Sequence, residues 1–93
     1  MPARAVTDNR PLQRYEMTVD GQIAFVRYRR EGAVFFLEHA EVPGALRGRG
    51  IGADLVRATL EALRAEGWKA VPRCSFVRAF MRAHSEFDDL RAE

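Results

Sequence analysis

The sequence predicts a small α/β (α+β) domain: an antiparallel three-stranded meander, a helix, a parallel fourth strand and a second helix. Three observations carry that expectation. Apolar and polar residues alternate from Arg14 to Val42, with two glycine turns interrupting them. From Gly50 the apolar residues switch to helical spacing. A short run, Lys69 to Pro72, follows that helix, and a strand–helix–strand unit implies a right-handed parallel crossover. Ninety-three residues, 47% hydrophobic and 30% charged, fit one domain built on one core.

Each element has its own signal. Residues 1–13 carry Pro2, Pro11 and a turn-prone Asp8-Asn9 pair, and read as a flexible lead-in. In the first strand, Tyr15, Met17 and Val19 share one face, with Arg14, Glu16 and Thr18 on the other. Asp20-Gly21 is a hairpin turn. The second strand, Gln22 to Arg30, sets Ala24, Val26 and Tyr28 against Ile23 and Phe25. Glu31-Gly32 turns the chain again. The third strand, Ala33 to Val42, has Val34, Phe35, Phe36 and Leu37 in succession, which suggests cover on both faces. Pro43 and Gly44 end it.

The first helix, from about Gly50 to Glu66, places Ile51, Leu55, Val56, Thr59, Leu60 and Leu63 inward. Arg57 and Glu61 pair on its outer face at i, i+4. Gly67 is a left-handed stop with Trp68 as its hydrophobic contact. A second helix, roughly Ser75 to His84, turns Phe76, Val77, Phe80 and Met81 toward the core. The tail is acidic. The folded domain is bounded at residues 14–88, with 89–93 a frayed end.

Composition excludes several classes. No apolar run approaches the ~20 residues that span a bilayer, so no membrane partner is expected. The N-terminus lacks the apolar core of a secretory signal. One cysteine cannot form an internal disulfide, which suits a cytoplasmic protein. All fifteen basic residues except Lys69 are arginine, a type suited to phosphate and carboxylate. Acidic residues are interspersed and the net charge is only +2, so no nucleic-acid partner is expected.

The stretch with most chemical content is Arg47-Gly48-Arg49-Gly50-Ile51-Gly52, between a strand and a helix. Glycines at alternate positions let a ligand approach main-chain N–H groups. The helix N-terminus adds unpaired N–H groups and the positive end of its dipole, and the arginines add charge. Together these make a pyrophosphate cradle. The spelling Gly48-x-Gly50-x-x-Ala53 also fits a dinucleotide loop. That loop needs a parallel sheet on both sides and an acidic residue about 20 positions on, where this chain has Pro72 and Arg73. A P-loop fails because no Gly-Lys-Ser/Thr follows.

Arg47-x-x-Gly50-x-Gly52 resembles the acetyl-CoA loop of the GNAT superfamily of N-acetyltransferases. With His39-Ala40-Glu41-Val42-Pro43 before it and Pro72-Arg73-Cys74-Ser75-Phe76-Val77 after it, the chain looks like the small minimal subgroup of that family. The resemblance covers roughly Arg14 to Phe87. It implies a minimal GNAT-like fold, acetyl-CoA or CoA as co-substrate and N-acetyl transfer to an amine acceptor, with no metal. The first strand and the next two helices of full-size members have no counterpart here. Those elements help shape the acceptor site, so a non-catalytic CoA-binding module or sensor is the alternative.

The resemblance implies a cofactor site of Val42, Arg47, Gly48, Arg49, Gly50, Ile51 and Gly52. The pantetheine arm would lie between the third and fourth strands, against the Val42 backbone. Three residues near those strand ends are candidates for catalysis. Cys74 begins the second helix beside Arg73 and Arg78, near where the thioester would arrive; it would relay the acetyl group or line the pocket. His39 and Glu41 alternate on one face of the third strand and would serve as base or acceptor contacts. A zinc site from Cys74, His39 and His84 lacks ligand-pair spacing.

Overall fold

A computed structural model describes residues 4–93, so the first three residues of the expected lead-in lie outside the described residues. Five strands form one sheet in chain order: β1 (Thr7–Asn9), β2 (Arg14–Val19), β3 (Gln22–Glu31), β4 (Val34–Glu41) and β5 (Lys69–Pro72). The first four pair antiparallel, and β5 joins β4 in parallel. Helix α1 (Ile51–Glu66) links β4 to β5, and α2 (Ser75–Ala83) follows. Short 3-10 segments at Gly44–Leu46 and Ser85–Leu90 complete the chain. Among the described residues no helix is long and apolar enough to cross a membrane.

Alternation along the strands builds the core. Tyr15, Met17 and Val19 from β2 meet Ala24, Val26 and Tyr28 from β3, with Phe35 and Leu37 from β4. The buried residues of α1 are Ile51, Leu55, Val56, Thr59, Leu60 and Leu63, the face that helical spacing selects. Gly67 ends the helix at φ 77°, donating to the carbonyls of Leu63 and Arg64. Trp68 then stacks on Phe35, with ring centroids 4.9 Å apart.

Both ends depart from the expected loose segments. Residues 7–9 form an edge strand rather than a turn, because Asp8 and Asn9 use their side chains across the sheet. Asp8 accepts a hydrogen bond from the Tyr28 hydroxyl at 2.7 Å, and Asn9 donates to Glu16 at 2.9 Å. At the other end, Phe87 and Leu90 are buried, and the Ala92 N–H donates to the Ala70 carbonyl. Arg91 forms a parallel bridge with Ala70. Arg57 pairs with Glu86 at 3.2 Å, not with Glu61, and Arg64 pairs with Asp89 at 2.6 Å. Burial of Phe87 and Leu90 holds the tail to the domain, and the exposed acidic residues add ion pairs to α1.

The second face of β4 also differs. Phe36 is half-buried, and the guanidinium groups of Arg29 and Arg73 lie over its ring at 4.1 and 5.5 Å. Arginine stems and flat cations cover what a second apolar layer was expected to cover.

Two buried tyrosines give the fold an alkaline limit. Burial, then the Asp8 carboxylate, pushes the Tyr15 hydroxyl up from 10.0 to about 12. Burial and the hydrogen bond to Asp8 push Tyr28 higher still. A raised folded pKa means the native state holds its proton where the unfolded chain has lost it. The stability linked to that proton is complete below pH 10 and falls as pH rises through about 12. Urea midpoints should be flat from pH 8 to 9.5 and fall between pH 10 and 12. A Tyr28→Phe variant should lose part of that fall; an identical slope in the variant would assign it to other groups.

Candidate functional site

A single extra residue in β4 changes which of its residues face each side of the sheet. Arg27 faces His39 and Tyr28 faces Leu37, so Glu38 is left over as a β-bulge. Before the bulge, Phe35 and Leu37 point to the core. After it, Ala40 takes the inward face, while His39 and Glu41 share the open face with Arg27 and Phe25.

Beyond the bulge β4 and β5 part. Pairing ends at Leu37 with Pro72, which has no N–H for the ladder. The Leu37 carbonyl then accepts from both Arg73 and Cys74, at 3.0 and 2.9 Å, turning the chain into α2. Strand β4 runs on to Glu41. Pro43 and the 3-10 turn at Gly44–Leu46 then lead the chain from β4 into α1.

The α1 N-terminus has the features of an anion cradle. Gly50 is the N-cap at φ 74° and no side chain caps the helix. The helical ladder begins with the Asp54 N–H donating to the Gly50 carbonyl at 3.1 Å. The N–H groups of Ile51, Gly52 and Ala53 precede it, free to meet a ligand. Gly48, at φ 79°, supplies the other left-handed turn. Asp54 in the first turn is paired with Arg4.

A cavity of about 420 Å³ opens there. Of the residues expected at a cofactor, Val42, Arg47, Gly48, Gly50, Ile51 and Gly52 line it. Arg49 does not; it is turned toward Asp20 in the β2–β3 turn at 2.8 Å. Ala40, Leu46, Ala53 and Phe76 complete the wall. One part is therefore apolar side chain, and another is main-chain N–H with an arginine.

The residues expected at the chemistry fall in two other places. His39 and Glu41 lie together on the open face, His39 Nε2 3.3 Å from Glu41 Oε1, each next in sequence to a cavity residue. Cys74 is the half-buried N-cap of α2 and is outside the cavity wall. Its neighbouring cations are engaged elsewhere: Arg73 over Phe36, and Arg78 donating to the Arg73 carbonyl at 3.3 Å. Also on the open face, the hydrogen bond from Arg14 holds the Glu16 carboxyl below the usual range.

Phe76 is the residue the helical pattern misplaces. Its spacing puts it with Val77, Phe80 and Met81, which are buried, yet it is 46% exposed at the cavity. It stands at the second position of α2, where the inward stripe has not begun. No group of three or more metal-ligating side chains occurs among the described residues.

Residues 14–90 match the family described as GCN5-related N-acetyl-transferase. The chain belongs to that family. A GCN5-like protein from Staphylococcus aureus, solved by NMR, superposes with a TM-score of 0.71 at 21% identity, covering 98% of this chain and 90% of that one. Protein NATD1 of Bos taurus is 39% identical over 46 residues, half of this chain. This GCN5-related chain spans 41% of the length of that curated relative.

Proposed function

We propose that the chain binds acetyl-CoA at the α1 N-terminus and transfers its acetyl group to an amine. The observation that carries this reading is the cavity itself. Free N–H groups and Arg47 suit a pyrophosphate. Ala40, Val42 and Phe76 suit the less polar arm that CoA carries beyond it. The membership of the GCN5-related family supports the same reading.

In the proposed reaction an amine approaches from the open face of the sheet. Glu41, with His39 beside it, takes a proton from the ammonium, directly or through water. The free amine attacks the thioester carbonyl carbon. The carbon–sulfur bond breaks, and CoA leaves as the thiolate, which takes up a proton. Cys74 stands at the start of α2, just after β5. A route through it would form an acetyl-cysteine first, but its place outside the cavity wall favours direct transfer. The alternative is a CoA-binding module, favoured by the solvent-accessible face on which His39 and Glu41 stand.

Acetyl-CoA turnover against a panel of primary amines tests this. Thiol release should depend on the amine, and Glu41→Gln should lower kcat more than tenfold with CoA affinity unchanged. Cys74→Ala should keep activity within a few-fold, and acetyl-CoA alone should leave Cys74 unmodified. CoA binding without turnover on any amine would favour the module. CoA should also raise Tm by mass action and NADP should not; the reverse would remove CoA altogether.

A further inference from the structure

We infer that Gly52 and Phe76 are one size-matched pair that sets the width of the cavity, with Phe76 a positioning residue for the arm of the ligand. The inference takes its ligand from the CoA reading, but the pair itself stands on geometry. Three glycines line the cavity, for two different reasons. Gly48 and Gly50 have φ of 79° and 74°, and a Cβ on either would meet nothing within 4 Å. Their backbone conformation demands glycine. Gly52 is the opposite case. It sits in the ordinary helical part of α1, where any residue fits the backbone, yet a Cβ there would stand 2.9 Å from Phe76 Cζ and 3.3 Å from Cε2.

A glycine inside a helix costs conformational entropy that alanine would save. At Gly52 that cost is met by letting the tip of an aromatic ring reach the helix backbone. The ring is not there to fill the core: Phe76 is 46% exposed while Val77, Phe80 and Met81 bury the helix. It lines the cavity with Ala40 and Val42. A Cβ at position 52 would push the ring off the helix and into the cavity. Loss of the ring would leave the wall open on that side.

The test is a double-mutant cycle of Gly52→Ala and Phe76→Ala, read by Tm without ligand and by calorimetry with CoA and with ADP. ADP carries the pyrophosphate and lacks the arm. Phe76→Ala should weaken CoA about tenfold and leave ADP within twofold. Gly52→Ala alone should also weaken CoA about tenfold; in the Phe76→Ala background it should do nothing further. Without ligand, Gly52→Ala should raise Tm by about 4 °C in the Phe76→Ala background, where the helix gains alanine freely, and by less in the wild type. Additive effects on Tm would overturn the pair. Equal losses of CoA and ADP in Phe76→Ala would overturn the positioning role. If the wild type binds no CoA, the reaction proposed above fails, and the Tm cycle still decides whether the two residues are matched.

Discussion

Gly50→Val should abolish CoA binding in a protein that stays folded. Gly50 adopts φ 74°, where a β-branched residue is strained. That strain costs about 1–2 kcal/mol, which a domain stable by about 5–15 kcal/mol survives. A Cβ at Gly50 meets nothing within 4 Å, so the backbone strain and not a clash at Cβ sets the cost. That empty space is where the phosphates would approach the N–H groups of Ile51, Gly52 and Ala53. Affinity should fall more than about 100-fold, or roughly 2.7 kcal/mol. Circular dichroism should keep its native shape with Tm lower by about 5–10 °C. Unchanged affinity by calorimetry would place the cofactor elsewhere.

The largest effect on stability should come from Phe35→Ala. Phe35 is fully buried near the start of β4. Its ring stacks on Trp68 at 4.9 Å and meets Tyr28 at 4.9 Å and Tyr15 at 6.2 Å. It thus ties β2 and β3 to the turn that ends α1. Truncation of such a phenylalanine costs about 3–5 kcal/mol, because neighbours that are themselves rigid rings cannot collapse into the space. The urea midpoint should drop by about a third or more. A loss under about 1.5 kcal/mol would mean that the aromatic cluster repacks.

Where a physical rule acts locally, the sequence was readable. The inward face of α1 follows from spacing alone because one helix has one buried stripe, and all six residues from Ile51 to Leu63 obey it. The turns at Asp20-Gly21 and Gly67 follow from residues that tolerate positive φ. The positive φ of Gly48 and Gly50 was legible for the same reason. The bulge at Glu38 was not. Nothing in Leu37-Glu38-His39 marks the extra residue, and only its register with Arg27 and Tyr28 reveals it. Without the bulge, unbroken alternation would carry His39 and Glu41 to the core side with Phe35 and Leu37, where two ionisable groups would lose their water. Phe76 was misread because periodicity describes a helix and not the neighbour at its first turn. Residues 7–9 were missed because three residues are too few to show alternation. The partner of Arg57 was missed because its carboxylate, on Glu86, comes from 29 positions away rather than four.

The hydrogen bond from Ala92 to Ala70 has a bearing on how copies of this chain behave toward one another. A strand at the rim of a sheet offers a row of bare donors and acceptors that any extended peptide can read. Arg91 and Ala92 occupy part of that row from within the same molecule. Their arrangement is parallel, so a second chain would have to displace them before it could add a strand there. A form of residues 1–93 cut back to Leu90 would keep the buried residues and uncover that row. The trimmed form should grow larger in light scattering as concentration rises, while the intact chain holds its size.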